Sequence, residues 1–286
     1  MTCPWYRNQM SEKKTRKLRF LAQHPKCCFC AGDKPAAELD HVPGRVFFRG
    51  RHGPVGYEFP ACVECNQATR LDEQAVALLA RMYPDAETEE AQGEIVKLMG
   101  EVRNNHPKLF EEMNPSIRQY RDARVRYGLS PPPGQPVTAL PVLSVSGPLV
   151  SNAIANVSRK LFCALFYKHT EQILTHAGGI GYRWYSNVMA QEIPKEIAQI
   201  VPGMPILERN AKPLNDQFFY RWGVTDTKRM AAFLVTFNLS FAVLGVVTQD
   251  ARSIPVPRES RILKPYTRLP QPSGVVGTRV RGRRLS

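Results

Sequence analysis

The sequence predicts an α+β fold: a small metal-stapled module of two short strands and a helix, a helical connector, and a second mixed α/β unit with an antiparallel hairpin. Three observations carry this expectation. Two Cys-x-x-Cys pairs, Cys27/Cys30 and Cys62/Cys65, bracket a short strand-like segment, AELDHV, and its return, YEFPA. Apolar residues recur at helical spacing from Val63 to about Met82, and residues 149–177 support a long, largely buried helix. The stretches FFYRWGV and AAFLVTFNLSFAVLGVVT alternate or run apolar like strands, the second turning near Asn238.

The cysteines define the first module. Four thiolates in two knuckles satisfy the needs of a closed, tetrahedral structural zinc site. In a reducing compartment this spacing indicates metal binding rather than disulfides. Cys28 lies inside the first knuckle and competes with Cys27, but the two-residue spacing to Cys30 favours Cys27. Cys163 falls in the apolar helix and reads as core. A four-thiolate zinc has no open position, so any reaction would have to use other groups. Asp40, His41 and Asn66 are the polar residues placed to do it.

The chain has 286 residues, 43% of them hydrophobic and 22% charged, ordinary values for a globular protein. No apolar run reaches the length of a membrane span. The segment MTCPWYRNQMSEKKTRK lacks the apolar core of a secretory signal, so a soluble, cytoplasmic protein is expected. The net charge of +14 is unevenly spread. Residues 1–26 carry seven Lys/Arg against one Glu, and residues 251–286 carry nine against one. The body between them is neutral. Basic arms on a neutral body are the footprint of a nucleic-acid binder, DNA foremost, although they also serve solubility or adhere to other polyanions.

Taken in order, residues 1–26 form a basic arm, with a helix over 11–25 capped by Ser11 and stopped by Pro25. It offers Lys13, Lys14, Arg16, Lys17 and Arg19 beside the first knuckle. The zinc module occupies 27–84: strand, Gly/Pro-rich loop, strand, knuckle, helix. Its loop carries Arg45, Arg49, Arg51 and His52, which either position a nucleic-acid strand or are simply solvated. A helical connector covers 85–130, and SPPPGQPVTALP within 131–150 reads as a stiff linker. A mixed helix and strand domain of unassigned role fills 151–250, and 251–286 is a basic Pro/Arg-rich tail expected to stay disordered unless bound. His169 and His176 share a helix face without a clustered carboxylate and read as structural.

Phosphodiester hydrolysis needs a base for water and a Lewis acid for the developing phosphate charge. Asp and Asn supply hard oxygen ligands for Mg²⁺ or a similar divalent ion, and His titrates near neutral pH. Because adjacent strand side chains point to opposite faces, an Asp-His pair can cooperate only if the strand ends or bends there, which Pro43 and Gly44 favour.

The set Cys27-x-x-Cys30, Asp40-His41 and Cys62-x-x-Cys65-Asn66 resembles the HNH endonucleases, also called ββα-metal or treble-clef nucleases. The zinc-knuckle branch that includes phage endonuclease VII is the most similar. The resemblance covers about 45 of the 286 residues. It implies that Asp40 and Asn66 hold a catalytic divalent ion, that His41 is the general base, and that DNA is cut. Two positions depart from the pattern: Tyr57 and Glu58 stand where many relatives carry a loop Asn, and Arg70 replaces a Lys. The alternative expectation is a non-catalytic zinc module that binds nucleic acid or a protein partner.

Overall fold

The computed structural model describes residues 4–82, 89–140, 142–186, 189, 193–238, 240–254 and 262–266. Helix α1 spans Pro4–Gln23, so Ser11 lies inside it rather than at its start. The helix ends two residues before Pro25, whose ring disfavours helical geometry in the residue before it.

Strands β1 (Glu38–His41) and β2 (Glu58–Ala61) pair antiparallel, with Glu38 opposite Ala61 and His41 opposite Glu58. The first knuckle is a turn leading into β1, where the Gly32 N–H donates to the Cys27 carbonyl at 3.2 Å. Gly32 sits at φ 80°, a left-handed geometry that glycine adopts without a Cβ clash. The second knuckle follows β2 directly, and Cys62 caps α2 (Val63–Ala68) through its sulfur.

One helix was expected from Val63 to about Met82, but there are two. Thr69 separates α2 from α3 (Arg70–Arg81). Thr69 is fully buried and its hydroxyl donates to Glu73 at 3.0 Å, a local bond that competes with regular helix. The connector is helical as expected: α4 (Glu89–Asn105), α5 (Pro107–Met113) and α6 (Ile117–Tyr127). A Ser116/Gln119 capping box starts α6 and Gly128 ends it at φ 64°. Arg118, Arg121, Arg124 and Arg126 are exposed on this helix while Tyr120 is buried.

The long apolar helix is α7 (Pro148–Thr170). It packs against a four-stranded antiparallel sheet of order β3-β8-β7-β6, formed by β3 (Gly179–Ser186), β6 (Phe218–Val224), β7 (Met230–Phe237) and β8 (Phe241–Thr248). Strand β7 alternates strictly between buried and half-buried residues, as a sheet with one face on the core must. The β7–β8 hairpin turns at Asn238, which takes φ 48°. Between β3 and β6 lie a single helical turn, α8 (Ile197–Ile200), and the small hairpin β4 (Glu208–Arg209) and β5 (Lys212–Pro213).

Strand β3 has no sequence counterpart above, because its glycines and exposed polar residues hide the apolar alternation. Those glycines have a packing role. A Cβ on Gly181 would stand 2.8 Å from Ile254, so their absence lets the following chain lie against the strand.

The separate second unit expected over 151–250 is not separate. One buried cluster runs from Cys27 through Phe47, Leu78, Phe162 and Phe233 to Tyr266. Polar links reinforce it: Tyr57 and Tyr220 hydroxyls meet at 2.8 Å, and Asn238 donates to the Ala80 carbonyl at 3.0 Å. The Pro-rich stretch is not a free spacer, since Leu140 is buried and the Ser144 N–H donates to Met113 at 2.8 Å. Within the expected tail, Leu263 pairs with Ile180 and Tyr266 is buried; residues 255–261 and 267–286 lie outside the described residues. No helix among the described residues is long and apolar enough to cross a membrane.

Helix α7 approaches the sheet closely at Gly245, where an added Cβ would stand 2.3 Å from the Phe162 ring. Gly245→Ala is expected to destabilise the fold by about 1–3 kcal/mol through overpacking, read from urea unfolding.

Candidate functional site

The two knuckles bring Cys27, Cys30, Cys62 and Cys65 together, all buried, with their sulfurs within 4.8 Å of one another. Metal–sulfur bonds of about 2.3 Å in a tetrahedron put sulfurs roughly 3.8 Å apart, so the four fit a shared ion after slight contraction. Backbone N–H groups of Phe29 and Cys65 point at the Cys27 and Cys62 sulfurs, each at 3.5 Å. Hydrogen bonds from the Cys27 and Cys65 thiols hold Cys30 well below the ordinary thiol range, while Cys27, Cys62 and Cys65 are pushed up. Cys28 and Cys163 stay outside the cluster as neutral core thiols, Cys28 pushed well up and Cys163 up to about 12, both chiefly by burial.

Strand β1 then divides its side chains between two faces. Glu38 and Asp40 share one face, Leu39 and His41 the other. Asp40 is 6% exposed, and Lys160 from α7 reaches it, with Nζ 2.7 Å from Oδ2. The same ammonium lies 2.8 Å from Glu73 of α3 and is itself 2% exposed. The Asp40 contact is an ion pair by distance, yet Oδ2 has no well-aligned hydrogen bond.

Burial works against the Lys160 charge, but Glu73 and Asp40 outweigh it and raise the pKa, so the ammonium stays protonated. Burial pushes the Asp40 carboxyl up to about 7, against the pull of Lys160. Two carboxylates and one ammonium thus form a buried triad joining β1, α3 and α7. Lys160 was not singled out in the sequence. Its signal was a lysine amid the buried stripe of Val157, Leu161 and Ala164.

Asn66, in α2, donates its side-chain N–H to Glu38 rather than turning to Asp40. His41 is half-buried on the opposite face, and its Nε2 lies 2.6 Å from the Arg45 guanidinium. A guanidinium can only donate, so this Nε2 is an acceptor and the proton resides on Nδ1. Burial first, then Arg45, lowers the His41 pKa, and the ring is neutral near pH 7. Its cross-strand neighbour Glu58 pairs with Arg16 of α1, and Tyr57 turns into the core.

Each of the three expected catalytic groups therefore has another partner: Asp40 has Lys160, Asn66 has Glu38, His41 has Arg45. The oxygen donors of Asp40 and Asn66 do not fit a second, catalytic divalent ion as they stand. Among the expected loop contacts, only Arg45 comes to His41. Arg49 pairs with Asp216 at 3.2 Å and Arg51 with Glu101 at 2.7 Å, while His52 and Arg70 are exposed. No family model, curated protein or solved structure matches this chain.

Two outcomes follow from this geometry. If the four thiols hold an ion, a strong chelator, or replacing Cys65 by Ser, should release reactive thiols and lower the melting temperature by several degrees, measured by thiol titration and calorimetry. Lys160→Met leaves two carboxylates buried without their cation and should cost about 3–5 kcal/mol in urea unfolding, with partial recovery in Lys160→Met/Asp40→Asn.

Proposed function

We propose that the chain is a zinc-stapled nucleic-acid-binding protein that holds a phosphodiester backbone on the His41 face of β1 and does not cut it. Zinc is the ion that four thiolates in two knuckles suit best. The observation that carries the reading is the contrast between the two faces of β1. On the inner face, the Lys160 ammonium already supplies the positive charge that a divalent ion would bring to Asp40. On the outer face, neutral His41 stands among arginines. The exposed Lys14, Arg16 and Arg19 of α1 continue the same sign of charge, which supports sequence-independent backbone affinity.

Metal-dependent HNH-type hydrolysis, with His41 as base and Asp40 and Asn66 as ligands of a magnesium-like ion, is the second reading. One observation favours it: Asp40 Oδ2 is buried without an aligned hydrogen bond, and the next residue in sequence is a histidine held in its basic form. It requires Lys160 to release Asp40 and Asn66 to release Glu38.

Fluorescence anisotropy with labelled duplex DNA and with RNA should show binding that weakens steeply with salt, and supercoiled plasmid should survive incubation with Mg²⁺ or Mn²⁺. Plasmid nicking by the wild type that His41→Ala abolishes would transfer the conclusion to the second reading. Absence of binding to either nucleic acid at low salt would remove the first.

A further inference from the structure

Four charged side chains from four separate parts of the chain act on His41. Arg45, from the loop after β1, touches the imidazole at 2.6 Å. Glu58 is its cross-strand partner on β2, and Arg16 reaches Glu58 from α1. Arg209 comes from the distant hairpin β4–β5. Its guanidinium donates to the Gly53 carbonyl at 2.9 Å, and the Val55 N–H donates to Glu208 at 3.3 Å. These two bonds pin β4 alongside the loop that leads into β2. The hairpin turns on Asn210 and Ala211, at φ 51° and 58°, which is the tight two-residue turn that keeps Arg209 at the end of its strand. The positive charges of Arg45, Arg209 and Arg16 all act on His41.

We propose that Arg45, Arg16 and Arg209, with His41, form the seat of a single phosphodiester phosphate, and that Arg16 and Arg209 are binding residues supplied from outside the zinc module. The proposal rests on the nucleic-acid reading and gives it an address.

The local charge supports it. Three guanidiniums face one carboxylate, whereas the neighbouring arginines are each matched: Arg49 by Asp216, Arg51 by Glu101 and Arg81 by Glu94. Around this loop, the positive charge left over from such pairing therefore lies on the His41 side. A phosphate oxygen is a stronger acceptor for Arg45 than a neutral imidazole, and guanidinium forks match phosphate geometry. Val55 and Ile206, 70% and 85% exposed, flank the β4 contact with apolar surface. A diester, which carries sugar on both sides of its phosphate, suits such a rim better than the free ion does.

The test is oligonucleotide anisotropy with wild type, Arg16→Ala, Arg209→Ala, Arg209→Lys and, as a control on the exposed face of α6, Arg126→Ala. Arg16→Ala and Arg209→Ala should each weaken binding about tenfold and flatten the log–log salt slope by about one, with Arg126→Ala near wild type. Arg209→Lys keeps the charge and a donor to Gly53 and should lose less, which separates charge loss from misfolding. If wild type binds and both alanine variants bind equally well, the seat is wrong and the nucleic-acid reading stands. If wild type binds no oligonucleotide, that reading fails, and the seat is judged by the His41 imidazole NMR shift on adding a dinucleoside monophosphate or inorganic phosphate. A shift with the diester upholds the seat. A shift with inorganic phosphate alone overturns the diester assignment, and no shift overturns the seat.

Discussion

A single ammonium group, Lys160 Nζ, holds together parts of the chain that the sequence presents as independent. It lies between Asp40 on the module's first strand and Glu73 on its second helix, while its own helix, α7, supports the four-stranded sheet. One ammonium between two carboxylates leaves a negative charge over, which is why the Asp40 pKa is raised, and removing the ammonium would leave buried charge uncompensated. The triad therefore constrains register: β1, α3 and α7 must meet at one point. Gly44 shows how closely. A Cβ there would fall 2.2 Å from the Glu73 carboxylate, so the chain leaving β1 has room only as glycine.

The cysteine cluster and the triad divide the work of holding β1. The cysteines fix its entry and the return of β2, because Cys28 N–H bonds the Pro60 carbonyl and Ala37 N–H bonds Ala61, both within 3.0 Å. The triad fixes its inner face. What remains is the outer face, where the strand's alternation leaves His41 beside Glu58 and a group of arginines. Adjacency in sequence has thus placed Asp40 and His41 in unlike surroundings: one dry and held by Lys160, the other half-open and positive. The proposed role as a holder of a phosphate backbone rests on that asymmetry.

The local signals were legible where one residue type has one physical use. Cysteine pairs at two-residue spacing could be matched to the cluster, with Cys27 chosen over Cys28. The β1–β2 hairpin, the three connector helices, α7 and the β7–β8 hairpin followed from periodicity and turn chemistry. The break at Thr69 was missed because a buried hydroxyl bond to Glu73 competes with a pattern that otherwise reads as continuous helix. Strand β3 was missed because its glycines answer to the chain packed on them, a tertiary demand with no local trace.

The amino-acid order alone determined the α+β class, the soft-metal donor set and the basic ends, since each depends on composition or on neighbours a few residues apart. Only the tertiary structure decided that the two units share one core, that Asp40 belongs to Lys160, and that Arg209 is held at the Gly53 carbonyl, from where its charge acts on His41. Charge compensation inside a protein is a sum over everything within a few ångströms. Residues 120 and 168 positions apart in the chain enter that sum on equal terms with immediate neighbours.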